Sequence, residues 1–134
     1  MIAVLLAAAI LQATVPMRPI DKGLNSTMDD KRQALVRTDA EWTRLWTQHA
    51  GEKTKPAVDF SKDVVLALFM GTRPTAGFTT EIVSVREDGG TLVVSYKETR
   101  PSPDSVAAQI LTSPFHIVAV PKGTATAVKW ERVN

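Results

Sequence analysis

Two histidines are the only side chains of this 134-residue sequence with an ordinary pKa near neutrality, and no cysteine accompanies them. His49 and His116 stand far apart in the chain, a poor start for a histidine metal site, which draws several ligands together. A nucleophile needs an activating base and a third group to orient it. Ser113 lies three positions before His116, but on one continuous segment that spacing builds no dyad. No Gly-x-Ser-x-Gly elbow surrounds any serine. Asp29–Asp30 and Glu87–Asp88 are paired carboxylates in polar turns, where solvated surface is expected. Glu81 and Glu98 are placed to approach each other on a hairpin, yet nothing in the sequence marks either as buried. Walker A, dinucleotide, HExxH and EF-hand patterns are absent. These residues point away from an enzyme and imply no cofactor and no metal.

The residues suited to recognition are more distinctive. In Gly71-Thr72-Arg73-Pro74-Thr75-Ala76-Gly77-Phe78, two glycines bracket an Arg-Pro pair. Such a loop turns sharply at both ends while Pro74 stiffens its middle. Thr72, Arg73, Pro74 and Thr75 form its tip, and Arg73 has the fork to hold a carboxylate or a peptide carbonyl. The plainer reading is a strand connection whose arginine pairs with a nearby glutamate. Gln109 and Thr112 are polar residues among apolar neighbours; they line a site or satisfy backbone groups beside the Pro114 break. His116 completes the candidate partner-binding set, although a lone histidine on a strand is more often packed.

The elements that must position these residues follow from periodicity. Asp39 reads as a helix N-cap with Glu41 in the first turn. Trp42, Leu45, Trp46 and His49 recur at i, i+3, i+4 and i+7, one amphipathic stripe, and Gly51 stops the helix. Two tryptophans on that stripe read as anchors onto a sheet rather than as a cofactor shelf. Lys31 to Arg37 predicts a short strand. Val64 to Met70 (VVLALFM) is apolar almost throughout, a central strand covered on both faces. Glu81–Val85 and Leu92–Tyr96 flank Asp88-Gly89-Gly90, a hairpin signal. With Asp88-Gly89 as the turn, Val85 faces Leu92, Val83 faces Val94 and Glu81 faces Tyr96. Val83, Val85, Leu92, Val94 and Tyr96 then share the buried face. Arg100 to Asp104 is a loop, Val106 to Leu111 leans toward strand, and Phe115–Val120 and Ala127–Val133 close the chain as strands. The expectation is an α+β single small domain, mainly an antiparallel sheet of about five or six strands with one N-terminal amphipathic helix packed on it.

Composition sets the outer bounds. The length suits one domain, and 44% of the residues are hydrophobic, enough for a core. Lys+Arg 16 against Asp+Glu 14 leave +2 without a basic block, which argues against nucleic acid or anionic lipid as the partner. Residues 1–13 (MIAVLLAAAILQA) are apolar apart from Gln12 and too short to span a bilayer, a span of about 20 residues. They read as a secretory signal segment ending at Ala13, with an apolar first helix or strand as the alternative. Cleavage there leaves no membrane anchor and a domain of 134 − 13 = 121 residues. Residues 14–30, broken by Pro16, Pro19 and Gly23, are a polar leader or a first edge strand; 31–134 form the domain proper.

Five stretches in order then carry a resemblance: Glu41-Trp42-x-x-Leu45-Trp46, Val58-Asp59-Phe60-Ser61, Gly71 to Phe78, Gln109 to Val118, and Val120-Pro121-Lys122. From about Leu35 to the C-terminus the chain resembles the PrcB C-terminal domain family. It departs in having Phe78 and Phe115 where a tyrosine is often found, keeping the ring and losing the hydroxyl. The resemblance implies a small exported bacterial domain, named for a lipoprotein subunit of a surface protease complex, with no established catalytic residues. That lipoprotein is anchored through an N-terminal cysteine, which this chain lacks, so periplasmic or secreted placement is expected. The resulting expectation is a non-catalytic protein-binding module of the cell envelope, its partner a protein such as a secreted protease. A structural envelope domain without a ligand, or a small-molecule enzyme using His116 with Glu81 or Glu98, are the alternatives.

Overall fold

The computed structural model describes residues 13–134. Of the segment read as a secretory signal, residues 1–12 lie outside the described residues. The described chain runs β1 (Ala13–Val15), β2 (Arg18–Gly23), β3 (Arg32–Val36), α1 (Asp39–Ala50), β4 (Asp63–Phe69), β5 (Thr79–Asp88), β6 (Thr91–Thr99), β7 (Phe115–Pro121) and β8 (Ala127–Arg132). These strands make two four-stranded sheets, a middle sheet in the order β2-β7-β4-β3 and an outer sheet in the order β1-β5-β6-β8. Every pairing is antiparallel except β6 with β8.

The domain is mostly β, with eight strands in two sheets where five or six in one were expected, and the helix follows three strands instead of leading them. The extra strands come from residues 14–30. β1 edges the outer sheet and β2 edges the middle one, so this stretch crosses from one sheet to the other. The edge-strand reading of this stretch holds despite its prolines, because one side of an edge strand's backbone needs no partner. β2 accommodates Pro19 with a register shift between Pro19 and Asp21.

The middle sheet is covered on both faces, which explains the unbroken apolar run of β4. Val65, Ala67 and Phe69 pack toward α1, whereas Val64, Leu66 and Leu68 pack toward the outer sheet. β7 divides in the same way, Phe115 and Ile117 on the helix side, Val118 and Val120 on the other. Trp42, Leu45, Trp46 and His49 bury the predicted stripe of α1. The indole N–H groups of Trp42 and Trp46 donate to the carbonyls of Pro56 (2.9 Å) and Lys53 (2.8 Å), clasping the turn after the helix. The N-cap is Thr38 rather than Asp39: its hydroxyl accepts the Glu41 N–H at 3.2 Å while Glu41 reaches back to the Arg37 N–H at 3.4 Å. Thr38 thus satisfies one free donor of the first turn, Glu41 takes the amide of the residue before the cap, and Asp39 is left to pair with Lys55. Gly51, at φ 61°, ends the helix as expected.

The hairpin pairs differently from its prediction. Gly89 and Gly90, at φ 52° and 88°, make the turn, and Val85 faces Val94. That is two residues from the expected register, so inward residues stay inward. A bulge between Ile82 and Ser84 then shifts the count by one, and Ile82 pairs with Tyr96. Ile82 thereby replaces Val83 in the seam between the sheets. Residues 106–111 are not a strand. Val106, Ile110 and Leu111 are exposed, with no sheet face to alternate against.

Candidate functional site

The loop after β4 and the segment before β7 lie side by side. Arg73 N–H donates to the Thr112 carbonyl at 2.7 Å, and Thr112 N–H returns a bond to the Arg73 carbonyl at 3.0 Å. The Thr112 hydroxyl donates to the Thr75 carbonyl (2.9 Å) and Ala76 N–H to the Ala108 carbonyl (3.0 Å). Six of the seven expected site residues are thus drawn together: Thr72, Arg73, Pro74, Thr75, Gln109 and Thr112. A third segment, residues 24–29, closes the platform from the far side. Ser113 N–H donates to the Leu24 carbonyl (2.7 Å), Ser26 N–H to the Ser113 carbonyl (3.1 Å), and the Ser113 hydroxyl to the Met28 carbonyl (2.8 Å). Thr72 docks on Asp29 through both its amide and its hydroxyl, each at 2.9 Å.

Both bracketing glycines are required by geometry. Gly71 has φ 81°, and a Cβ there would sit 2.9 Å from the Lys31 nitrogen. Gly77 has φ 95°, with Pro101 only 2.8 Å from the Cβ position. Among the described residues Arg73 pairs with no glutamate. Its Nη2 donates to the Met70 carbonyl at 3.2 Å and its guanidinium lies over the Phe78 ring, 5.7 Å from the centroid. Its fork is therefore turned back on its own loop, where it rigidifies the tip instead of projecting from it. The platform presents several large apolar side chains outward beside the exposed Thr72 and Gln109: Val106 is 103% exposed, Leu111 73% and Ile110 58%. A shallow cavity of about 230 Å³ opens between Leu111, Thr72, Thr112 and Asn25.

His116 is the residue that does not join. It is buried between the two sheets, where Nδ1 accepts the Ile82 N–H at 2.9 Å. An accepting Nδ1 carries no proton, so the ring is neutral with its hydrogen on Nε2. Burial pushes its pKa below the ordinary value, the nearby Lys22 charge acts in the same direction, and Glu81 opposes them. Glu81 itself is held below the usual carboxylate range, first by its bond from Lys22, at 3.2 Å, with Lys97 at 3.5 Å adding to it. Glu98, which the sequence did not mark as buried, is buried. Its carboxylate lies 3.5 Å from Lys31 and Arg132 and 3.7 Å from Arg100, tying the end of β6 to the segment that carries Asp29.

Two residues beneath the platform escaped sequence reasoning. His49 Nε2 lies 2.9 Å from an Asp21 carboxylate oxygen, and Nδ1 lies 2.8 Å from the Ser26 hydroxyl. The carboxylate only accepts, so with a neutral ring Nε2 donates to Asp21 and Ser26 donates to Nδ1. The Ser26 oxygen in turn accepts the Met28 N–H at 3.0 Å. No local spacing announces this array, because Asp21 and Ser26 reach His49 only through folding. Its effect is to pin the 24–29 segment to the helix end. Among the described residues no cluster of metal-ligating side chains occurs, and no helix is long and apolar enough to cross a membrane.

A mostly β domain of two four-stranded sheets with one helix, displaying a loop platform with exposed apolar side chains, is the class these features define. Compared with models of protein families, residues 64–121 are similar to the one described as PrcB C-terminal. The matched stretch runs from β4 to the end of β7 and contains both halves of the platform. No curated protein and no solved structure matches the chain.

Proposed function

We propose that this protein is an exported, non-catalytic protein-binding module of the bacterial cell envelope, an accessory subunit that docks on a secreted protease or its complex. One observation carries the reading: Val106, Ile110 and Leu111 stand in solvent on a backbone bonded to the Arg73 loop. Exposed apolar side chains on a braced segment are suited to burial against another protein. The apolar residues 1–13 support export, and the family match supports association with a protease complex. Affinity capture from periplasm and culture supernatant tests it, with the chain from Thr14 onward as bait and Leu111→Asp and Arg73→Ala baits beside it. The expected result is one enriched envelope protein, lost with Leu111→Asp and weakened with Arg73→Ala. Equal recovery by all three baits, or none by any, overturns the proposal.

A second reading rests on the Ser26–His49–Asp21 array, whose groups are those of a hydrolase. Against it, Ser26 is buried, and its oxygen already accepts the Met28 N–H at one of its two lone pairs, so a substrate carbonyl has little access to it. Labelling by a fluorophosphonate probe, abolished by Ser26→Ala, would establish that reading; an unlabelled protein removes it.

A further inference from the structure

The exposed side of β3 combines two features of a peptide-binding groove. β3 is the last strand of the middle sheet, so its outer edge faces no other strand among the described residues. Its residues pair with β4 from Arg32↔Phe69 to Val36↔Val65, and outside that pairing the backbone of residues 32–36 makes no hydrogen bond among the described residues. Alternate N–H and C=O groups along the edge are therefore open to an added strand. Beside this edge runs α1, and between them lies a cavity of about 270 Å³ lined by Ala34, Leu35 and Val36 from the strand and Arg44, Leu45 and Gln48 from the helix. Leu35 packs against the seam between the sheets, yet it lines this cavity too. The groove thus opens onto the strand's edge and not only onto its helix-facing side.

The groove has ends and a charge. Arg32 Nη1 donates to Gln48 Oε1 at 2.7 Å, bridging strand and helix at one end. At the other, Glu41 accepts the Arg37 N–H. Arg44 has no ion-pair or hydrogen-bond partner among the described residues. Arg32 and Arg44 outweigh Glu41, so the lining favours negative side chains, and the short Ala34 leaves room for an apolar one.

We propose that the β3–α1 groove binds an extended acidic peptide, which joins the middle sheet as a fifth strand beside β3 and sets its carboxylates against Arg44 and Arg32. Backbone bonds to the edge supply affinity, and the arginines select the sequence. This surface is separate from the Arg73 platform and does not depend on it.

The test uses fluorescein-labelled peptides of about eight residues, the length of an ordinary strand, alternating glutamate and valine. Saturable binding by fluorescence anisotropy is expected, with slowed hydrogen exchange at amides within residues 32–36. A lysine–valine peptide, and the Arg44→Glu protein, should bind roughly tenfold more weakly. Two further peptides, N-methylated at alternate residues in opposite phases, separate strand addition from simple charge attraction. A strand presents its amides alternately to its two sides, so one phase must abolish binding and the other must leave it. Leu111→Asp should bind the peptide unchanged, whatever the fate of the platform. Equal binding of both methylated peptides, protection elsewhere than residues 32–36, or no saturable binding overturns the proposal.

Discussion

The middle sheet has a histidine on each face, and the two are used in opposite ways. His49 belongs to the seam between helix and sheet, ringed by Trp46, Phe69 and Phe115 at centroid distances of 5.1, 5.5 and 4.2 Å. Both its nitrogens reach side chains, Asp21 from an edge strand and Ser26 from a loop. His116 belongs to the seam between the sheets and takes a backbone amide from the bulge of the opposite sheet. The first seam is rich in aromatic rings and closed by a side-chain network; the second is largely aliphatic, with Tyr96 and Trp130 in contact within it, and His116 adds a side-chain-to-backbone bond across it. The lesson is that a buried imidazole is kept for what must be satisfied next to it. At the helix seam those are a carboxylate and a hydroxyl from otherwise loose segments; at the sheet seam it is the amide that a bulge expels from the ladder.

Removing the largest ring probes the aromatic seam hardest. Trp42→Ala should destabilise by about 3–5 kcal/mol, since the side chain is fully buried and its indole holds the Pro56 carbonyl. Urea titration measures it; a loss below about 1 kcal/mol would mean that the seam repacks and is not the rigid partner of the comparison. His116→Leu should cost roughly 1–3 kcal/mol, because the Ile82 N–H is left without its acceptor. His49→Leu should cost somewhat less, about 1–2 kcal/mol, since Asp21 is part-exposed and water can replace the lost bond. A larger loss at His49 than at His116 would reverse this ordering of the two seams.

The pH dependence sharpens the same contrast. The folded-state pKa of His116 lies below its ordinary 6.5, so the unfolded chain takes up the proton first as pH falls. Its contribution is therefore fully present above about pH 6.5 and lost as pH drops through the unfolded and then the folded value. The stability gap between the wild type and His116→Leu should accordingly shrink from pH 7 to pH 5, measured by urea midpoints across that range. A gap constant with pH would detach the histidine from the bulge amide. Glu81 acts lower: with its pKa held below 4.5, its contribution is present above that value and is lost as pH falls further. The smallest effect belongs to Thr38→Ala, about 1 kcal/mol from the lost cap, read as fraying of α1 by hydrogen exchange.

Much of the helix seam was legible in the residues. The stripe Trp42, Leu45, Trp46 and His49 has the period of a helix and needs only an apolar surface to meet, and Gly51 stops it because a left-handed position admits glycine freely. The continuous apolar run of β4 announced a strand covered on both faces. The candidate platform was legible in part. The glycines of the Gly71–Phe78 loop and the polar residues Gln109 and Thr112 stood out, and folding brings them together. The direction of Arg73 was not legible, since an arginine fork takes the nearest carbonyl and ring, and these are known only once the loop is folded. The role assigned to His116 on that surface failed for the same reason: strand alternation says that the ring points to one face, not which sheet covers it.

Local patterns thus determined the elements whose stabilising partner is simply apolar surface: the helix, the central strand and the hairpin's inward residues from Leu92 to Tyr96. Periodicity records which side of an element shuns water, and that is a property of the element alone. Pairings between segments were decided in three dimensions. The second sheet, the bulge that exchanges Val83 for Ile82, the Asp21–His49–Ser26 array and the Glu98 ion cluster all join residues distant in sequence. Hydrogen bonds and ion pairs are directional and short-ranged, so their partners exist only where folding has already brought the chain together.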